Sequence, residues 1–267
     1  MEKLVVIPTY NERENISSII DAIFNLNQEF HILVIDDSSP DGTAEIVRDL
    51  QYKFPTKLFI EERKGKLGLG TAYIHGFKWA MANGYAFIFE MDADFSHNPE
   101  DLSRLYDACK KDGADLAIGS RYVKGGGVRN WPRNRIALSK GASLYTRIIT
   151  WMTIKDPTAG FICYKKEVLE TINLDEIHFT GYAFQIEMKF AAWKLGFKLV
   201  EVPIIFQDRT RGSSKMNKGI VKEGVLGVLK LRWHSWFTNY RKRVKNTYGQ
   251  APSAGPIQQG NVLVETK

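Results

Sequence analysis

Hydrophobic positions along the chain fall into short β-branched runs separated by stretches of helical period. Strand-like runs recur at residues 4–7, 31–35, 57–60, 86–91, 116–119 and 199–206, and the early ones alternate with helical patterns. This alternation predicts an α/β fold, with a mostly parallel, Rossmann-like sheet and helices on both of its faces. Ile16, Ile19, Ile20 and Ile23 sit at helical spacing behind Asn11 and Glu14, which are spaced as a capping box. Asn98-Pro99 opens a further helix with Leu102, Leu105, Tyr106 and Cys109 as its apolar stripe. In open sheets of this kind ligands bind beyond the carboxyl ends of the strands, so the chemistry is expected in the loops there.

After residue 119 the pattern loosens. Gly125-Gly126-Gly127 predicts a flexible loop and residues 136–154 a helix that mixes apolar positions with Lys140 and Arg147. A last helix is expected over 216–237, where Val221, Val225, Val228, Leu229 and Leu231 precede Trp233, Trp236 and Phe237 and the pattern runs into Arg241-Lys242-Arg243. Gly, Pro, Gln and Ser dominate beyond it, which predicts a disordered tail over 247–267. The expected division is a catalytic domain over 1–215, a basic amphipathic helix over 216–246 and the tail. The apolar run before Pro8 is too short for a signal sequence and reads as a strand. No window holds the roughly 18 apolar residues that a spanning helix needs.

Charge adds a direction to this picture. The formal net charge is +7, yet residues 205–250 carry eleven Lys and Arg against two acids, Asp208 and Glu223. A second basic cluster comprises Arg121, Lys124, Arg129, Arg133 and Arg135. Such asymmetry points to an anionic partner: a phosphate, a nucleic acid or an acidic membrane surface. The two cysteines, Cys109 and Cys163, lie in apolar patterns and read as packing in a reducing compartment.

The candidate chemistry sits at strand ends. Glu90-Met91-Asp92-Ala93-Asp94 closes the apolar run of the fourth strand and sets two carboxylates one residue apart. Carboxylates so close need a cation between them or water to screen them, and a hard divalent ion takes few protein oxygens plus substrate phosphates. Asp92 and Asp94 therefore suggest a Mg²⁺ or Mn²⁺ site carrying a diphosphate, against the plainer reading of a polar loop. Pro8-Thr9-Tyr10-Asn11-Glu12 and Asp36-Asp37-Ser38-Ser39-Pro40-Asp41-Gly42 are turns rich in groups that hold a base and ribose: Tyr10 to stack, Asp37 to accept. Asp41 reads as the cap of the next helix. Lys64-Gly65-Lys66-Leu67-Gly68-Leu69-Gly70 is not a dinucleotide loop, because its third glycine is missing and it does not follow the first strand. Its glycines are expected to let the loop approach a ligand closely.

Taken in order, the strings around Pro8, Asp36, Leu67-Gly68-Leu69-Gly70-Thr71-Ala72-Tyr73-Ile74-His75-Gly76 and Met91-Asp92-Ala93-Asp94-Phe95-Ser96-His97 closely resemble the dolichol- or polyprenyl-phosphate mannose synthases. These are inverting GT-A glycosyltransferases of family 2, and the resemblance covers about residues 4–215. It implies that Pro8, Tyr10, Glu12, Ile35 and Asp37 hold the guanosine of GDP-mannose, and that Asp92, Ala93 and Asp94 hold the diphosphate and its metal. Ser96 stands where some relatives carry a Gln ligand to the metal. Arg121 and Arg135 match arginines that serve the acceptor phosphate, and Arg209 and Lys215 match a loop that closes on the donor diphosphate. Asp92, Asp94, Arg121 and Arg135 are thus the expected catalytic set. Asp156-Pro157-Thr158-Ala159-Gly160-Phe161 resembles another family stretch, with Ile162 where an Arg commonly follows.

The implied activity is transfer of mannose from GDP-mannose to a polyprenyl phosphate, with Mg²⁺ or Mn²⁺ as cofactor. Such an acceptor lives in a bilayer, so the apolar faces of the helices at 136–154 and 216–237, with the basic stretch after the second, are expected to lie on an anionic membrane at its cytoplasmic face, against the plainer reading of core helices with a solvated edge. One alternative keeps the fold and moves glucose from UDP-glucose to the same acceptor. Another is a basic nucleic-acid-binding protein, which explains the charge but gives Asp92 and Asp94 no role, so no nucleic acid is expected.

Overall fold

The computed structural model describes residues 1–181, 183–208 and 218–237. Five strands alternate with four helices in the first half: β1 (Lys3–Thr9), α1 (Ile16–Phe24), β2 (His31–Asp36), α2 (Thr43–Gln51), β3 (Leu58–Glu62), α3 (Leu69–Ala82), β4 (Phe87–Glu90), α4 (Asp101–Lys110) and β5 (Leu116–Ser120). The second half contributes β6 (Gly127–Arg129), α5 (Arg133–Thr150), β7 (Ile162–Lys165), α6 (Lys166–Thr171), α7 (Ala183–Leu195), β8 (Leu199–Pro203), β9 (Ile205–Gln207) and α8 (Lys218–Phe237).

The main sheet has the order β3-β2-β1-β4-β7-β5-β8, and β6 and β9 form a small ribbon of their own. Period-two alternation in β1 divides the interior into two cores. Leu4 and Val6 join Tyr73 and Phe77 of α3 and Met188 and Phe190 of α7 on one face. Val5 and Ile7 join Ile16, Ile19, Ile20 and Ile23 of α1 and Leu102 and Leu105 of α4 on the other. Both faces of a parallel sheet are covered in this way, as near-continuous apolar strands require.

Three expectations change. The run at 199–206 is two strands that part at Ile204: β8 pairs with β5, whereas β9 leaves to pair with β6. β7, which no alternating pattern announced, enters antiparallel between β4 and β5. The capping box of Asn11 and Glu14 does not form, because α1 begins only at Ile16 and Asn15 Nδ2 donates to Glu12 instead. The predicted tail 247–267 and the basic residues Arg241, Lys242 and Arg243 lie outside the described residues.

Candidate active site

The sheet changes winding direction between β1 and β4: β2 lies on one side of β1 and β4 on the other. A crevice opens at such a switch point, beyond the carboxyl ends of the strands. Backbone strain marks the same place. Asn11, Ser38 and Phe95 all have left-handed φ, at +57°, +54° and +58°, and they follow β1, β2 and β4 respectively. Such conformations are costly for non-glycine residues and gather at ligand sites.

The adjacent aspartates after β2 have found separate partners. Asp36 is fully buried and accepts from the Thr9 hydroxyl at 2.7 Å and from Ser39, which ties β2 to the end of β1. Asp37 accepts from Arg63 Nε at 2.7 Å and from the Leu67 amide at 3.0 Å, while Arg63 Nη1 reaches the Thr71 hydroxyl at 2.9 Å. The buried Arg63 and Asp37 therefore fix the loop between β3 and α3 beside the β2 turn. Within that loop Lys66 Nζ lies 4.5 Å from the centroid of the Tyr10 ring. Asp41 accepts from the amides of Arg13 and Thr43 and so braces the start of α2, although the N-cap position itself is Gly42 and not Asp41.

Pro8, Tyr10, Glu12 and Asp37 thus share one crevice on neighbouring strand ends. Ile35 differs in that its side chain is fully buried in the core, which leaves only its backbone groups to face a ligand. Ala93 is likewise packed into the core. The glycines of the 68–76 string are also reassigned. A Cβ at Gly70 would stand 2.8 Å from the Phe179 carbonyl and the Phe184 ring, and one at Gly76 would stand 2.5 Å from Val6. These glycines let α3 press closely against Phe179, Phe184 and Val6. Gly68, with φ +102°, is the one that the turn itself demands.

On the other side of β1, Asp94 is buried and accepts from the Ser96 amide at 3.0 Å, and the Tyr73 hydroxyl lies 3.5 Å from Asp92 Oδ1. The Ser96 hydroxyl is buried with no hydrogen-bond partner among the described residues. No cluster of three or more His, Cys, Asp or Glu side chains suited to a metal occurs among them. Two carboxylates and an orphan hydroxyl are an all-oxygen set of the kind a hard divalent cation takes when phosphates complete its shell. The residues present therefore fit Mg²⁺ or Mn²⁺. Behind them, burial pushes Glu90 up to about 7 and, with opposite charge, Lys189 down to about 7. Lys189 Nζ donates to the carbonyls of Ala159 and Gln185, at 2.6 and 2.7 Å.

The basic half faces this corner across an aromatic layer. His97, two residues past the strained Phe95, stacks on Phe161 at 4.8 Å and meets Phe206 edge-on at 5.3 Å. The Arg121 guanidinium lies 5.6 Å from the same Phe206 ring. Arg121 grips Asp156 through Nε and Nη2, both at 2.7 Å, and Nη2 also reaches Thr158. Burial alone would raise the Asp156 carboxyl, but the Arg121 hydrogen bonds outweigh it and hold the group below its ordinary value. Glu201 braces the turn from behind by accepting from the amides of Lys155 and Asp156. Arg135 pairs with Asp208 at 2.8 Å and lies 4.1 Å over the Trp131 ring. Arg129 and Arg133 are exposed. Arg209 and Lys215 lie outside the described residues.

Sequence reasoning missed Arg63, Trp131, His97 and Lys189. Arg63 alone had a signal: two adjacent carboxylates at a strand end require a partner, and it is the arginine that ends the neighbouring strand.

A switch-point crevice with an Asp-x-Asp turn on one side and a buried arginine site on the other defines a GT-A glycosyltransferase. The comparisons agree, and the chain belongs to glycosyl transferase family 2, whose sequence signature matches residues 4–172. It is 49% identical over 225 residues to a polyprenol monophosphomannose synthase of Mycolicibacterium smegmatis, a match covering 84% of each chain. An undecaprenyl-phosphate mannosyltransferase of Micrococcus luteus is 44% identical over 233 residues, which are 87% of this chain and 94% of that one. Among solved structures, a mannosyltransferase from Pyrobaculum calidifontis in complex with GDP-Man and Mn²⁺ shares the fold. Its TM-score is 0.52 at 16% identity, covering 95% of this chain and 76% of that one.

Proposed function

We propose that the enzyme transfers mannose from GDP-mannose to a polyprenyl phosphate, with inversion at the anomeric carbon. The observation that carries this reading is the shared aromatic layer, because His97 and Phe206 bring the aspartate corner within reach of the Arg121 and Arg135 site. A donor diphosphate on one side and an acceptor phosphate on the other need that juxtaposition. The names of both relatives supply the acceptor class and the sugar, and the GDP-Man complex of the structural neighbour supports the base.

Tyr10 offers its ring to the base, and Asp37, held in place by Arg63, offers acceptor lone pairs to the ribose or base. Asp92, Asp94 and Ser96 would hold Mg²⁺ or Mn²⁺, which when bound neutralises charge developing on the departing diphosphate. Arg209 and Lys215 are assigned to that diphosphate by resemblance. Arg121 and Arg135 orient the lipid phosphate, whose second pKa of about 6 leaves it largely dianionic at neutral pH. One of its oxygens forms the new bond to the anomeric carbon as the bond to GDP breaks. No general base is needed, and Asp156, held ionised with Arg121 across both its oxygens, serves to aim that arginine.

The acceptor's membrane is met by α5 and α8. These helices pack together, with the Tyr145 hydroxyl donating to the Val225 carbonyl at 3.0 Å. They expose Leu144, Ile148, Trp151, Leu229, Trp233 and Trp236. Over residues 224–237 of α8, Val228 and Leu231 face inward while Leu226, Leu229, Trp233 and Trp236 face out. No described helix is long and apolar enough to cross a membrane. An apolar face of this kind, with the basic residues beyond it, suits peripheral attachment to the cytoplasmic face of an anionic membrane.

The test is one assay that offers GDP-mannose, UDP-glucose and GDP-glucose with a short polyprenyl phosphate, with and without EDTA. Mannosyl transfer from GDP-mannose that EDTA abolishes is expected. Preferential use of UDP-glucose would overturn the donor assignment.

A further inference from the structure

Between the two arginines assigned to the acceptor stands a tryptophan that nothing above uses. Trp131 sits in the loop after β6, just past Asn130, whose φ of +65° is left-handed. Its ring is fixed on three sides. Arg135 lies over it at 4.1 Å, Arg121 at 5.7 Å, and Phe206 meets it edge-on at 5.3 Å. Its indole Nε1 is buried and has no hydrogen-bond partner among the described residues. A buried N–H left unpaired is destabilising, and such groups in folded proteins call for a specific explanation. Strain at Asn130 adds a second cost at the same loop.

We infer that the Trp131 Nε1–H is a third donor to the acceptor phosphate, completing the site that Arg121 and Arg135 begin. The inference rests on the proposed function, since it takes the anion of that site to be a lipid phosphate monoester. The chemistry fits. A phosphate dianion has more lone pairs than two arginines satisfy, especially when Arg121 already spends Nε and Nη2 on Asp156. An indole N–H donates without accepting, and a charged phosphate oxygen is a stronger acceptor for it than water or an alcohol. Arg135, paired with Asp208 and stacked on the ring, reaches the same anion when it gives up that carboxylate. The ring thereby acts as the platform that keeps both cations and the N–H on one ligand.

Two measurements test it on the full-length enzyme. In the first, the Trp Nε1–H resonances of ¹⁵N-labelled wild type are followed while a water-soluble short-chain prenyl phosphate is added, the Trp131 signal being the one missing from Trp131→Phe. A downfield shift of that signal that saturates with the ligand is expected. In the second, Trp131→Phe keeps an aromatic ring under Arg135 but removes the donor. A hydrogen bond to a charged group predicts that acceptor KM rises about 10- to 100-fold while donor KM stays within about twofold. A Trp131 signal that stays put while the prenyl phosphate demonstrably binds would overturn the inference and leave the proposed function standing. So would a variant with unchanged acceptor KM. If wild type binds no prenyl phosphate at all, it is the proposed function that fails.

Discussion

Helices α4 and α5 are built with opposite polarity. In α4 the inner face is Leu102, Leu105, Tyr106 and Cys109, each at most 8% exposed. In α5 the buried residues are Ser143, Thr146 and Thr150, whereas Leu138, Leu144 and Ile148 are 51%, 55% and 60% exposed. The first is the arrangement water enforces on a helix covering a sheet. In the second, only the partly buried Tyr145 and Ile149 reach the core while the larger apolar share faces out, and α8 beside it exposes Leu226, Trp233, Trp236 and Phe237 as well. Large apolar side chains gathered on one side of a folded domain mark an interaction site. The sheet half thus turns polar groups to water, and the α5 and α8 face is suited to an apolar partner.

The largest effect that can break this division is catalytic. Asp94→Asn removes a charge from the aspartate corner but touches nothing on α5 or α8, and kcat is expected to fall about 10³-fold. Initial rates at saturating GDP-mannose and Mn²⁺ measure it, alongside liposome binding, which is expected to be unchanged. A second comparison is made within the fold. Leu105→Ala should cost about 3 kcal/mol in chemical denaturation, because it opens a cavity in a closed core. Ile148→Ala should lie within about 0.5 kcal/mol of wild type. Equal costs would mean that α5 is buried against the rest of the protein in solution.

A pH scan separates the halves by another route. Burial, partly offset by Asp94, pushes His97 down to about 4 from an ordinary 6.5, so the folded protein holds it neutral. Between those values the unfolded chain binds the extra proton, and stability therefore rises with pH there. The contribution is complete above about pH 6.5 and is lost as pH falls towards 4, with an upper bound of about 3 kcal/mol. The neutral ring also suits its surroundings, since Nδ1 lies 3.5 Å from the Asp92 amide, a donor. His97→Gln should flatten the slope of denaturation midpoint against pH between 4 and 6.5. A slope of unchanged size would assign the acid sensitivity to other groups.

What the sequence made legible was local. The strands β1, β2 and β4 and the turns that follow them carry their own signals: a β-branched run, a turn-forming string and a carboxylate in fixed order. What it hid depends on distance along the chain. β7 follows α5 but runs antiparallel to both its neighbours, outside the β-α-β alternation, so no pattern announced it, and its place between β4 and β5 is set by pairing across more than 40 residues. Arg63 meets Asp37 and Trp131 meets Phe206 only through the sheet order and the β6 and β9 ribbon. The polarity of α5 was half legible, since its apolar and basic positions suited a membrane-facing helix but left an ordinary core helix open. Periodicity reveals that a helix has two faces, but which of them is turned inward is settled by the surface it packs on.

The smallest expected effect tests that last point. If the outward face of α5 and α8 is made for the bilayer, replacing its apolar groups should cost binding and leave folding alone. In the triple variant Ile148→Ser, Leu229→Ser and Trp233→Ser, each substituted side chain is at least 45% exposed in the wild type. Fully withdrawing such a side chain from water is worth about 1.5–3 kcal/mol, and interfacial insertion recovers only part of that. Partition onto liposomes containing anionic lipid should therefore weaken about 10²-fold, or roughly 2.7 kcal/mol. The thermal midpoint should hold or rise, because the protein loses exposed apolar surface and no internal contact of the sheet. High salt should weaken the wild type further by screening its basic residues, so the two losses are separable. A variant that sediments like wild type at both salt concentrations would mean that charge alone holds the enzyme to the membrane, and the inverted polarity of α5 would then belong to a protein partner.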